Sequence, residues 1–294
     1  MSEINQRNTL RSLVKSFYAA QKLRIQTGNR LVANIRVRLG QDPGAKTEEM
    51  TPEGQKLLNS LMAEYKRITD GLIRPTSRSI AKAIEVQKGV ITDPFEYELV
   101  GYYNRLLESE EHLGRGIAGA VKHFPIWTEF LKGVKGVGPA MAAVLISELD
   151  PFKAQYVSSF WKYAGLDVAE DGKGRSKRKE HLIDVDYEKC SGGLSARKSI
   201  TFNPFLKTKL IGVLGTCFLR AGAGPYRSIY AGYKHRLENH AIYKDDTKGH
   251  RHNMAVRYMC KMFLRDLWLE MRRIEGLPVT VDYCEGKLGI KHSA

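Results

Sequence analysis

Apolar side chains recur along most of this chain at the three- and four-residue spacing that lays a stripe on one side of a helix. From Thr9 to Leu23 the stripe is Leu10, Leu13, Val14, Phe17 and Leu23, with Arg11, Lys15, Lys22 and Arg24 on other faces, which predicts an amphipathic basic helix. Gly28 is expected to interrupt it before a short second piece carrying Leu31, Ile35, Arg36 and Arg38, and residues 40–46 read as a linker. Thr51 ahead of Pro52 is a start signal, a capping hydroxyl followed by proline at the first helical position. Leu57, Leu58, Leu61, Met62, Tyr65, Ile68 and Leu72 then predict a long helix, broken at Pro75 and resumed over Ile80, Ala83 and Ile84. Asp93 and Pro94 repeat the signal before Phe95, Leu99, Val100, Tyr103, Leu106, Leu107, Leu113 and Ile117. Two long helices with a short connection are expected to run antiparallel as a coiled-coil stalk.

Beyond Pro125 the texture changes to shorter helices separated by glycine. Residues 151–166 predict one helix capped by Asp150, with Phe152, Tyr156, Phe160 and Tyr163 as a core stripe. Residues 170–201 are polar and alternate around Leu182, Ile183 and Val185, which predicts a loop with a short β-hairpin. Helices are expected again from Asn203 with Pro204, from Gly224 with Pro225, and from about Asn253 to Ile274. The expected fold is mainly α, divided into a basic N-terminal helical region (1–50), a helical stalk (51–125) and a helical nucleic-acid-binding domain (126–294).

Charge sharpens this picture. With 47 Lys and Arg against 32 Asp and Glu, the 294-residue chain carries +15, which argues for an anionic partner. The excess is uneven: residues 1–41 hold +7, residues 173–273 hold +13, and the remainder is −5. Apolar residues make up 43%, enough for a real core. No apolar run approaches the ~20 residues that cross a bilayer, so no membrane partner is expected. Cys190, Cys217, Cys260 and Cys284 are far apart without zinc-site spacing, so reduced thiols are expected and neither a metal nor a cofactor.

Three segments carry candidate chemistry. FLKGVKGVGPAMAAVLI, residues 130–146, has the form of a helix-hairpin-helix: Gly136, Val137 and Gly138 make a tight corner, and a helix starts at Pro139. Glycine lets the backbone turn and approach a ligand, and amides at a helix start seat a phosphate, with Lys132 and Lys135 beside them. In KGRSKRK, residues 173–179, the cations Lys173, Arg175, Lys177, Arg178 and Lys179 share a glycine-bearing loop, followed by Arg197, Lys198, Lys207 and Lys209. Phosphate contacts of this kind set the salt dependence of affinity. Third, basic and aromatic groups interleave: Tyr226, Arg227, Tyr230, Tyr233, Lys234 and Arg236, then His250, His252, Arg257, Tyr258, Lys261 and Phe263. His250 and His252 have no carboxylate or third histidine at helical spacing to complete a metal site, so they are assigned to hydrogen bonding or phosphate contact. These cations and amides are expected to line one trough for a polyanion, with Arg257 and Lys261 on the wall opposite residues 173–179. No acidic set for a two-metal nuclease is recognisable, since residues 1–41 offer only Glu3.

In consecutive order, GVKGVGPAMAAVLISELDPF, WKYAGLDVAEDGKGRSKRK, NPFLKTKLIGVLG, GPYRSIYAGYKHR and KGHRHNMAVRYMCKMFLRDLW resemble the C-terminal domain of the bridge-RNA-guided DEDD insertion-sequence transposases. They are similar also to the Nop-like Tas proteins of TIGR (tandem interspaced guide RNA) systems, which are related to the Nop domain of box C/D ribonucleoproteins. The resemblance covers roughly residues 125–275. The transposases have an acidic RuvC-like domain without counterpart here, and place a catalytic serine where this chain has Asn203, Pro204 and Phe205. The resemblance therefore implies the nuclease-free Tas type. It implies a short guide RNA held by a Nop-like domain and stalk and a target DNA read by base pairing, and it leaves room for a nuclease acting in trans; a homodimer through the stalk and a bacterial or phage-infected cytoplasm are expected beside it. Two alternatives stand beside it: a recombinase using Ser195, Ser199 or Thr201, and a plain RNA-binding or RNA-processing Nop-like protein.

Overall fold

The protein is described here by a computed structural model covering residues 3–43, 50–188, 193–222 and 224–279. It is mainly helical, with one two-stranded antiparallel sheet among the described residues. The chain divides into two compact units, Ser12–Gly116 and a larger one made of Met1–Arg11 with Ile117–Ala294.

The smaller unit is built from α1 (Glu3–Arg38) after Arg11, α2 (Pro52–Asp70), α3 (Ser77–Gln87) and α4 (Pro94–Ala120) up to Gly116. The two start signals do what their chemistry suggests. The Thr51 side chain accepts the Gly54 amide, and Asp93 Oδ1 accepts those of Phe95 and Glu96 at 2.7 and 2.9 Å. The expected break at Gly28 is absent: α1 runs unbroken, because a Cβ there would stand 2.9 Å from the Tyr103 ring, so glycine is the residue that lets the helices approach. Leu31, Val32 and Ile35 of α1 share one core with Leu58, Leu61, Ile68, Ile80, Ile84, Val100 and Tyr103, so the N-terminal helix belongs with those that follow it. The helices α1 and α4 run antiparallel, tied by Arg24 to Glu110 at 2.5 Å and Arg38 to Glu96 at 2.8 Å. The buried Glu64 carboxylate accepts the Val90 and Ile91 amides at 2.8 and 3.1 Å and so fixes the turn between α3 and α4.

In the larger unit, α5 (Pro125–Glu129) and a 3-10 turn at Leu131–Gly133 lead through the glycine corner into α6 (Pro139–Glu148). PAMAAVLISE is apolar nearly all round, and Met141 to Glu148 are all buried. Leu145 and Ile146 are fully enclosed, each contributing ~1.5–3 kcal/mol. Next come α7 (Val157–Tyr163), strands β1 (Ile183–Glu188) and β2 (Leu194–Ser199), then α8 (Pro204–Thr208) and α9 (Gly215–Arg220) joined through a wider π turn at Lys209–Leu214. Two long helices, α10 (Pro225–Asn239) and α11 (Lys248–Ile274), pack against each other, and α11 also packs on α5, α7 and α9. Its buried face contributes Val256, Met259, Phe263, Leu267 and Trp268 to the core.

The helix expected over 151–166 begins only at Val157. Residues 151–153 form a turn instead, because α11 takes the carbonyls of Pro151 and Ala154: Arg272 donates to Pro151 O and Ala154 O at 2.8 and 3.0 Å, and Trp268 Nε1 to Ala154 O at 2.8 Å. Of the expected core stripe only Phe160 is buried; Phe152, Tyr156 and Tyr163 are exposed. The last helix starts at Lys248, capped by Thr247, and so includes His250 and His252.

Candidate nucleic-acid interface

The glycine corner forms as its sequence suggests. Gly136 has φ +97°, and a Cβ would meet the Phe218 ring at 3.1 Å and the Cys217 carbonyl carbon at 3.3 Å, so both conformation and closeness require glycine. Gly138 caps α6 in an extended conformation, with Pro139 at the first helical position. Lys132, Lys135, Gly136, Gly138 and Pro139 are exposed, which leaves this helix start open to solvent. Arg227, at the start of α10, lines the same cavity as Lys135, and its guanidinium is held by the Leu219 carbonyl.

A second group forms around Asp167. Arg175 Nε donates to Asp167 Oδ2 at 2.8 Å, Arg257 Nη2 donates to the Asp167 carbonyl at 3.0 Å, and Lys207 Nζ donates to the Arg175 carbonyl. Lys207 also lies 4.6 Å over the Phe202 ring. Burial, with Arg257 nearby, lowers the Lys207 ammonium to about 8, and burial alone lowers Lys209. Arg257 packs under the loop so closely that a Cβ at Gly174 would stand 2.6 Å from its Cζ. That overturns the expectation that Arg257 faces residues 173–179 across a groove: it is the floor on which they rest. One helical turn on, Lys261 Nζ lies 4.4 Å over the Trp161 ring, while Trp161 Nε1 donates to Lys261 O at 3.0 Å.

The loop itself is pinned by a residue that sequence reasoning missed. His181 is buried; its Nδ1 accepts the Ser176 amide at 2.9 Å, and its Nε2 lies 3.2 Å from Asp171 Oδ2. A backbone N–H can only donate, so Nδ1 is the acceptor and the ring proton sits on Nε2, donated to Asp171. The Lys173 amide, followed by His181, holds the Asp171 carboxyl below its usual value. Together with an isolated bridge between Val168 and Gly174, these bonds shape the turn that presents Lys177, Arg178 and Lys179. All three are exposed, as is Lys173, and Lys177, Arg178 and Lys179 make no side-chain hydrogen bond or ion pair with another described residue.

The other predicted residues are spent on local contacts. In the hairpin, whose register pairs Ile183 with Ser199 and Tyr187 with Ser195, Lys198 meets Asp184 at 2.7 Å and Arg197 lies 5.4 Å from the Tyr187 ring. On α10 and α11, Lys234 stands over Tyr230 and Arg236 over Tyr233, at 5.9 and 4.6 Å. Tyr233 stacks on Tyr258 at 4.1 Å, and the Tyr230 hydroxyl bonds His252 Nδ1 at 2.7 Å. His250 lies 3.8 Å from Asp246. By their contacts the predicted residues fall into separate groups, one at the glycine corner and α10, one around Asp167 and the basic loop, and one along α10 and α11.

A further polar cluster was not anticipated. The buried Glu148 carboxylate accepts from Asn203 Nδ2 at 2.7 Å and Tyr163 OH at 3.2 Å, and Arg11 Nε lies 3.5 Å away. Asn203 meanwhile caps α8 by accepting the Leu206 amide. Arg7 and Arg11 donate to the carbonyls at the end of α6, which are the groups a helix C-terminus leaves unpaired. Burial pushes the Cys260 thiol up to about 12, so it stays a packing group, and Cys217 is also free; Cys190 and Cys284 lie outside the described residues. Among the described residues no group of three or more His, Cys, Asp or Glu is placed to hold a metal ion, and no helix is long and apolar enough to cross a membrane. Compared with family models, curated proteins and solved structures, the chain matches none.

Proposed function

We propose that this protein binds nucleic acid through the basic face of its larger unit, holding a short guide RNA against a DNA target without a nuclease of its own. The observation that carries the reading is the loop over 173–179. Its scaffold of Arg175, Lys207, Arg257, Asp167 and His181 is cross-linked by hydrogen bonds within the loop and its floor, with Asp167 Oδ1 the one scaffold side-chain atom buried without a partner among the described residues, while Lys177, Arg178 and Lys179 are left exposed and unpaired among the described residues. A rigid base under free cations suits a phosphate backbone, because little side-chain and loop order is lost on binding. The open glycine corner with Lys132 and Lys135 offers a second phosphate contact.

The guide and the DNA target rest on the order of motifs that resembles the nuclease-free Tas proteins. In that reading the larger unit is a Nop-like domain, α2 and α4 contribute a coiled-coil stalk through which two copies pair, and base pairing supplies the sequence specificity. Sequencing the nucleic acid that accompanies the protein through purification is the test. Short RNAs of uniform length from an array are expected; no RNA, or only random host fragments, refutes the guide reading.

A further inference from the structure

Beside the glycine corner lies a cavity of about 310 Å³ lined by Phe130, Val134, Phe218, Pro225 and Tyr226, with Gly133 and Gly224 among its walls. Its floor is a buried aromatic cluster, with the partly exposed Phe130 as the ring left open at its wall. The rings of Phe218 and Tyr226 stack at 4.8 Å, Phe263 meets both edge-on at 5.3 and 5.4 Å, and the Tyr226 hydroxyl is tied to Asp266 at 3.0 Å. The charged side chains lining this cavity, Lys135 and Arg227, are both cationic and both exposed, and among the described residues no carboxylate lines it. Gly133 and Gly224 line it with open space beside them, since a Cβ on either would meet nothing within 4 Å.

We infer that this cavity receives one unstacked nucleobase of a single strand, with the phosphates flanking that base on Lys135 and Arg227. A mainly apolar cavity whose charged lining among the described residues is cationic matches a ligand that is itself an apolar ring between anions, and small sites of this volume enclose groups of about that size. Aromatic contact is indifferent to base identity, because every base has a π-face, so the slot anchors a strand without reading it. Its place next to the Gly136 corner puts base contact and backbone contact within the same few residues, which fixes the strand's register on the protein. This inference rests on the nucleic-acid reading above and adds a base-binding element to it.

Filling the slot is the direct test, using the full chain and two labelled polyanions of matched length, a single-stranded oligouridylate and inorganic polyphosphate. Gly133→Leu places a side chain in open space and is expected to weaken oligouridylate binding about tenfold, the value of losing one base–aromatic contact. Polyphosphate binding, which has no base to seat, should be unchanged by it, whereas Lys135→Ala should weaken both. Phe130→Ala, which removes a wall instead of filling the slot, should also weaken oligouridylate alone. Equal effects of Gly133→Leu on the two polyanions, or none from either slot variant, overturn the base slot while leaving the phosphate grip standing. A wild-type chain that binds neither polyanion overturns both.

Discussion

Lys207 offers a test of the loop's foundation with a sign that can be worked out in advance. Its ammonium donates to the Arg175 carbonyl and lies over Phe202, but burial, and after it the charge of Arg257, lower it to about 8 against an ordinary 10.5. Below about pH 8 the group is charged in both folded and unfolded chains, and the whole cost of holding it charged is present. Between about 8 and 10.5 the folded chain has released the proton and the unfolded chain has not, so the unfolded state binds more protons and stability rises with pH. The shift alone corresponds to roughly 3.5 kcal/mol at ~1.4 kcal/mol per pH unit, and solvent screening of this half-exposed side chain brings it to ~1 kcal/mol. Lys207→Met keeps the stem on Phe202 and removes the titration, while every other group titrates in both proteins and cancels in the difference. Denaturant unfolding of both should show the wild type gaining about 1 kcal/mol on the variant between neutral pH and pH ~10. A gap that does not move with pH would show that Lys207 is not held in this environment, and with it the packing of the loop on Arg257 and Arg175 would be refuted.

Other consequences follow from the same geometry. His181→Ala removes the acceptor for the Ser176 amide and the partner of Asp171, so tryptic cleavage within residues 173–179 should quicken several-fold while the melting temperature falls only slightly; unchanged cleavage would mean that the imidazole does not shape the loop. Gly165→Ala puts a Cβ 2.6 Å from the Phe202 ring on a backbone with φ +65°, and should cost about 1–3 kcal/mol in equilibrium unfolding, where a neutral result would contradict the packing of Phe202. Glu64→Ala strips the Val90 and Ile91 amides of their buried acceptor and should destabilise by ~1–3 kcal/mol, read in the same assay.

How much of this was legible in the sequence depended on whether the deciding contact was local. Caps are local: Thr51, Asp93 and Asn203 each accept an amide two or three residues on, and each marked its helix start correctly. Gly28 and residues 151–156 were misread because distant partners decide them. A glycine costs a helix only ~1 kcal/mol, which the approach of Tyr103 outweighs, whereas Arg272 and Trp268 draw away the carbonyls that a helix from Pro151 would need. The candidate interface divides in the same way. The exposed run Lys177, Arg178 and Lys179 could be read directly from composition. The carboxylate beneath it, Asp167, and the buried His181 could not, since nothing in the order of residues distinguishes them from solvated polar groups in a loop. Arg257 was recognised as important for the wrong place, because helical periodicity gives a face but not what that face meets.

The central claim is that free cations on a prebuilt loop grip a phosphate backbone, and the salt dependence of binding measures it most directly. The variant carrying Lys177→Ala, Arg178→Ala and Lys179→Ala removes three exposed side chains that make no hydrogen bond or ion pair with another described residue, and so should leave the fold intact. Each lost phosphate contact lowers the slope of log affinity against log salt by ~0.7–0.9, so the slope should fall by roughly 2 to 3 and affinity should drop uniformly across sequences. An unchanged slope with unchanged affinity would contradict the account.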